Sequence, residues 1–182
     1  MVTPTYPARA ASLDDVLAIL RAGSPEEGTG KAMTALDHHL QCAEVLRRER
    51  PLDSELQVAG LLHDIGHDLL PGRPDQHGVV GGQYLADVFS ERVCALVELH
   101  VDAKRYLVAV EPSYRDRLSA TSAQTLIAQG EAMNAQEVAA FRDKPYHEDA
   151  VVLRRADEDA KTPGRPVPSL DAWVSVLEAV AR

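Results

Sequence analysis

The chain has 182 residues, 45% hydrophobic and 26% charged, which are the proportions of a soluble globular domain and exclude fibrous or low-complexity architectures. Its formal net charge of −9 disfavours nucleic acid as a partner, because that polyanion is held by clustered Lys and Arg. A small molecule is the expected partner. No run of about 18 apolar residues marks a membrane span, and the opening MVTPTYPARA lacks the basic start and apolar core of a secretory signal. No membrane partner and a cytoplasmic location are therefore expected. The cysteines, Cys42 and Cys94, each lie in an apolar helical pattern, so both are expected reduced and buried rather than in a disulfide or thiolate zinc site.

Val2 to Ala10 holds two prolines and no periodicity, so residues 1–11 read as an N-terminal arm and 12–182 as a single domain. SLDD caps a first helix, in which Leu13, Val16, Leu17 and Leu20 recur at helical spacing until Gly23. A second helix is predicted from Lys31 to Arg50, closed by Pro51 and containing His38. Asp53 caps a third, whose apolar run leads into HDIGHDLL and ends before Pro71, Gly72 and Pro74. HGVVGGQYLADVFS reads as a helix from His77. Ser90-Glu91 opens the next, through VCALVELHVDAKRYL. YRDRLSATSAQTLIAQG and NAQEVAAFRD read as short helices, followed by one from Pro145 to about Asp159 and a last from Ser169 to Ala181. No period-two alternation and no internal repeat occurs, so the fold class is all-α.

Within HDIGH, residues i and i+4 of a continuous helix share a face about 6 Å apart, so His63 and His67 are expected to offer imidazoles to one cleft. Asp64 points about 100° aside, where a carboxylate can give one oxygen to each of two cations. A lone His-Asp pair is more often a solvated helix end. Five histidines on separate helices reverse that reading: His38 sits on an apolar stripe, His77 opens a helix and His100 follows an apolar run, places where an unpaired imidazole is costly to bury. Asp157, in LRRADEDAK, belongs to a surface when taken alone. His39 and His147 are read as structural or solvated. Imidazoles and carboxylates without thiolate suit iron, manganese, zinc, cobalt or nickel, and spacing does not choose among them.

The ordered set His38, His63-Asp64 and Asp157 resembles the HD-domain superfamily, helical metalloproteins most of whose members hydrolyse phosphate esters. The added His67, His77 and His100, with HHLQCA at 38–43, HVDAKRYL at 100–107 and LRRADEDAK, resemble the phosphonate-degrading HD-domain oxygenases over roughly residues 30–162. That resemblance implies an HD-domain helical bundle. It also implies an Fe(II)/Fe(III) pair that binds a 1-hydroxyphosphonate, a small anionic organophosphonate, activates O2 as co-substrate, and ends by cleaving the C–P bond to release phosphate. One iron would be held by His38, His63, Asp64 and Asp157, the other by Asp64, His67, His77 and His100. By the same resemblance Asp64 would bridge them, and Asp64, His67 and Lys104 would carry the chemistry. Lys104, one turn after His100, would meet a phosphonate oxygen, and Arg154, Ser122 and Gln129 match positions near the substrate.

The chain departs from the pattern where aminophosphonate-cleaving relatives carry a Tyr that can ligate iron and, three residues later, a Glu that reads the substrate ammonium. Gly28 and Lys31 stand there. A substrate ammonium facing Lys31 would be repelled, so the expected substrate lacks that amine and carries a second anionic group. A slip of a residue or two in this loop would instead put Glu26 or Glu27 in the pocket. A phosphohydrolase acting on a small phosphate ester or nucleotide is the second reading of the same donors, and a non-catalytic sensor the third.

Overall fold

A computed structural model describes residues 7–22 and 33–182, and within them all regular structure is helical, with eleven helices and no strand among the described residues. The first helix, α1 (Leu13–Ala22), starts where Asp15 accepts hydrogen bonds from the amides of Ala11 and Ser12 at 2.9 and 3.0 Å. It buries Val16, Leu17 and Leu20. Helix α2 (Ala35–Glu49) begins four residues later than Lys31, because Thr34 and Asp37 form a reciprocal capping box at 3.0 Å in each direction. Such a cap fixes the first turn and is worth about 1 kcal/mol.

The third predicted helix is two. Helix α3 (Ser54–Leu62) ends at His63-Asp64, and α4 (Ile65–Leu69) starts after it. Asp64 adopts φ −99° and ψ 6°, and the His67 amide bonds the Asp64 carbonyl three residues back rather than four. Helix α5 (His77–Leu85) stops short of the predicted Ser90, which instead caps α6 (Glu91–Val110) by accepting from the Val93 amide. The stretch after Glu111 also divides, into α7 (Tyr114–Arg117) and α8 (Ala120–Ala128). Leu118 turns extended between them and Ser119 caps the second. Helices α9 (Ala135–Arg142), α10 (His147–Asp159) and α11 (Leu170–Val180) complete the described chain.

The twenty-residue α6 is the central element, with α3, α5 and α10 packed around it and α2 lying across α3 and α10. Leu61, Leu62, Ile65, Leu85, Phe89, Leu96, Val97 and Leu153 are fully buried at these contacts. No helix is long and apolar enough to cross a membrane among the described residues. Both cysteines are free and buried, as expected.

The contact between α4 and α5 depends on Gly66. A Cβ built there would stand 1.9 Å from the His77 carbonyl oxygen, backbone against backbone, with no flexible side chain to give way. Gly66→Ala is therefore expected to cost about 3 kcal/mol or more of unfolding free energy and to push His77 away from Asp64. Denaturant melts will check it, and an unchanged midpoint would contradict the close approach.

Candidate metal centre

Five elements deliver six of the predicted donors to one place. His38 comes from α2, His63 and Asp64 from the break between α3 and α4, His77 from the first turn of α5, His100 from α6 and Asp157 from the last turn of α10. The four histidines are almost wholly buried, and the Nδ1 of each faces a backbone carbonyl: Ala160 at 3.1 Å for His38, Gly60 at 2.8 Å for His63, Pro74 at 2.8 Å for His77 and Val97 at 2.7 Å for His100. A ring that donates its Nδ1–H in this way presents the Nε2 lone pair inward. The inward nitrogens meet in pairs, His38 with His63 at 3.2 Å and His77 with His100 at 2.9 Å. Two lone pairs this close repel unless a positive charge lies between them. Ligands at about 2.1 Å from one metal and about 90° apart stand about 3.0 Å from each other, so the spacing fits shared coordination.

The carboxylates divide along the same line. Asp64 turns Oδ2 toward His38 and His63, at 3.5 and 3.4 Å, and Oδ1 toward His77 and His100, at 3.2 and 3.4 Å. Asp157 adds Oδ1 at 3.3 Å from His38 and 3.8 Å from His63. Two groups that could each hold a cation result, His38–His63–Asp157 and Asp64–His77–His100, with the ligand atoms of each within 4.8 Å of one another. Burial opposes ionisation of Asp64, yet the surrounding imidazoles of His63, His100 and His38 hold its carboxyl well below the usual carboxylate range. Burial also opposes a charge on His63, and Asp64 overrides it, raising that ring to about 10. Burial drives His100 down to about 3. A positive charge is thus favoured beside the Asp64 carboxylate, the place that a metal would take on displacing a proton.

His67 stands outside the tight groups, contrary to the helical i, i+4 expectation. The chain turns at His63-Asp64, so His67 sits on α4 with Nε2 at 3.9 Å from Asp64 Oδ1 and its ring stacked on His77 at 3.9 Å between centroids. Its side chain is 42% exposed, at the open side of the centre. Asp157 is buried rather than superficial, because α10 packs that face on α2 and α6. His39 is buried against His63 and kept neutral, burial lowering it to about 3; His147 bonds the Lys144 carbonyl. Neither joins the donor groups. Gly28, Lys31, Glu26 and Glu27 lie outside the described residues.

Beside the second group opens a cavity of about 80 Å³, lined by Asp64, His67, His77, His100, Val101, Lys104, Ser119, Thr121, Ser122, Thr125, Gln129, Arg154, Asp157 and Lys161. Lys104, Ser122, Gln129 and Arg154 are thus brought together as expected. Lys104 donates to Thr125 Oγ1 at 2.9 Å and the Ser122 carbonyl at 3.4 Å, both neutral, and no carboxylate pairs with it among the described residues. Burial, with Arg154 and Lys161 nearby, lowers its ammonium to about 7. Arg154 points its fork at Asp157 and Glu158 and reaches Ser122 Oγ at 3.4 Å, so much of its hydrogen-bonding capacity is engaged within the protein. Gln129 donates to the same Pro74 carbonyl that receives His77, at 2.8 Å. Lys161, Glu158, Ser119, Thr121 and Thr125 were not foreseen. Helical spacing offered a signal for two of them, Glu158 four residues after Arg154 and Lys161 four after Asp157.

The family model for the HD domain matches residues 35–161. A hydroxymethylphosphonate dioxygenase of Gimesia maris is 37% identical over 158 residues, covering 82% of this chain and 78% of that protein. A 1-hydroxy-2-(trimethylamino)ethylphosphonate dioxygenase of Leisingera caerulea, which forms glycine betaine, is 34% identical over 81% of this chain and 78% of its own length. An uncharacterised protein of Acanthamoeba polyphaga mimivirus is 30% identical over 81% and 72%.

Proposed function

Because the chain belongs to the HD-domain family, we propose that it is an O2-dependent non-haem diiron oxygenase that oxidises a small 1-hydroxyphosphonate, cleaving its C–P bond and releasing phosphate. The observation that carries this reading is the division of Asp64 between two pairs of buried imidazoles. Each half then holds two imidazoles, at least one carboxylate and no thiolate, the donor composition of non-haem iron oxygenases rather than of structural zinc. Irons held by His38, His63, Asp64 and Asp157, and by Asp64, His77, His100 and His67, would supply the O2 chemistry that no side chain provides.

The rest falls to the chain itself. Lys104 lacks a carboxylate partner among the described residues, so an anionic phosphonate beside it supplies the missing counter-charge and offsets the cost of burying the ammonium. Lys161, Arg154 and the hydroxyls of Ser122 and Thr125 face the same cavity, which suits a tetrahedral oxyanion. With the anion held there, the carbon attached to phosphorus lies toward His67, His77 and His100. The small cavity favours a compact substrate. The names of the two dioxygenases share a hydroxyl on the carbon bonded to phosphorus, which supports that substrate class. At the sequence position of Lys31 the aminophosphonate-cleaving relatives carry an acidic residue, and the exchange supports a substrate without an amine.

Iron analysis of anaerobically purified protein, followed by electron paramagnetic resonance with and without hydroxymethylphosphonate, tests the proposal. The expected result is two irons per chain and a mixed-valence signal that shifts on adding the phosphonate. Two zinc ions and turnover of a phosphate ester would instead establish the hydrolase.

A further inference from the structure

Glu158 touches several of the polar groups at the anion end of the cavity, though not Lys104. It neighbours the Asp157 donor and is 6% exposed. It accepts from the Ser119 amide at 2.6 Å, from the Ser122 hydroxyl at 3.1 Å, from Lys161 at 3.0 Å, and from the Arg154 guanidinium. Those partners come from three segments: the start of α8, the last turns of α10 and the residues after it. Lys161 in turn reaches Ser122 Oγ and Asp157 Oδ1, both at 2.9 Å. Ser122, Arg154 and Lys161, three of the groups placed to meet an anion, are therefore joined through one carboxylate.

We propose that Glu158 is a positioning residue that ties α8 to Arg154 and Lys161, so that Ser122 and the two cations meet the anionic head of the substrate as one preorganised unit. The inference rests on the reading of the cavity as a phosphonate site. Lys104, Arg154 and Lys161 are like charges around one small space and repel each other. Without Glu158, the flexible Lys161 relieves that repulsion by swinging toward solvent, and the Ser119 amide that starts α8 loses its acceptor. The added net positive charge therefore does not gather at the substrate, and binding weakens.

Glu158→Gln keeps the shape but turns an amide toward two cations. Glu158→Asp keeps the charge but shortens the reach. Hydroxymethylphosphonate kinetics and inorganic phosphate binding are to be measured on the iron-loaded wild type and both variants, together with iron content and melting temperature. Both variants are expected to retain iron and fold, to raise KM and the phosphate dissociation constant about tenfold or more, and to keep kcat within about threefold. Unchanged or tighter anion binding in either variant overturns the positioning role. Equal loss in kcat and iron content overturns it too, since it would mark a disturbed metal centre. Wild-type protein that neither turns over the phosphonate nor binds phosphate defeats the phosphonate reading itself, a result distinct from failure of the variants.

Discussion

Asp64→Ala is expected to lose both metal equivalents and all turnover, although the side chain is one carboxylate among at least six donors. Each of its oxygens faces a different pair of imidazoles, so its removal takes a ligand from both groups and leaves paired Nε2 atoms with less negative charge to hold a cation. Changes behind a metal ligand already cost about 10- to 100-fold in affinity, and loss of a shared ligand is expected to cost at least as much at each site. The control is Asp157→Ala. Asp157 faces His38 and His63 but not His77 or His100, so that variant is expected to lose one equivalent and keep the other. Metal per chain after anaerobic purification checks both. One full equivalent retained in Asp64→Ala would contradict the bridge.

Lys104→Met is expected to move stability and function in opposite directions. Lys104 is 4% exposed and bonded only to neutral oxygens, and its burial is what lowers the ammonium to about 7. Methionine fills similar space without a buried charge. In metal-free protein it should stabilise the fold by about 2 kcal/mol, while phosphonate affinity drops about 100-fold for want of a charged hydrogen bond. The sign with pH follows from the lowered folded value. Between about pH 7 and the ordinary lysine value of 10.5 the unfolded chain holds a proton that the native protein has shed. Native stability from this group thus rises with pH across that window, and the penalty is complete below it. The advantage of Met should be largest near pH 6 and shrink toward pH 10. The same ionisation makes wild-type kcat/KM fall as pH rises through about 7, and Lys104→Arg, charged throughout, should flatten that limb. Thermal melts at both pH values and a pH–rate profile check these outcomes; a Lys104→Met protein less stable than wild type at pH 6 would show that the ammonium is better satisfied than its partners indicate.

Much of this was legible in the residues because apolar periodicity is dictated by burial. The stripes of α1, α2 and α6 follow it, and His38 and His100, which lie on two of those helices, are among the histidines the structure gathers. What periodicity hides is where a helix turns. HDIGHDLL reads as continuous, and the break at Asp64, which carries His67 to the open side, and the close approach of Gly66 to the His77 backbone are seen only in the fold. The split between α7 and α8 was hidden for a similar reason: Ser119 is one small polar residue among several, and its capping role depends on Glu158 from a distant helix receiving its amide. Glu158 and Lys161 lay within a stretch already singled out for Asp157. Their spacing from Arg154 and Asp157 looks like an ordinary solvated ladder until α10 is seen to be buried on that face.

The most direct test of a bridged diiron oxygenase is to follow O2 uptake and phosphate release together, using iron-loaded protein and hydroxymethylphosphonate. The expected result is that both proceed in equal amounts and that phosphate release stops when O2 is removed. Phosphate release that continues without O2, or persists after iron is replaced by zinc, would contradict it.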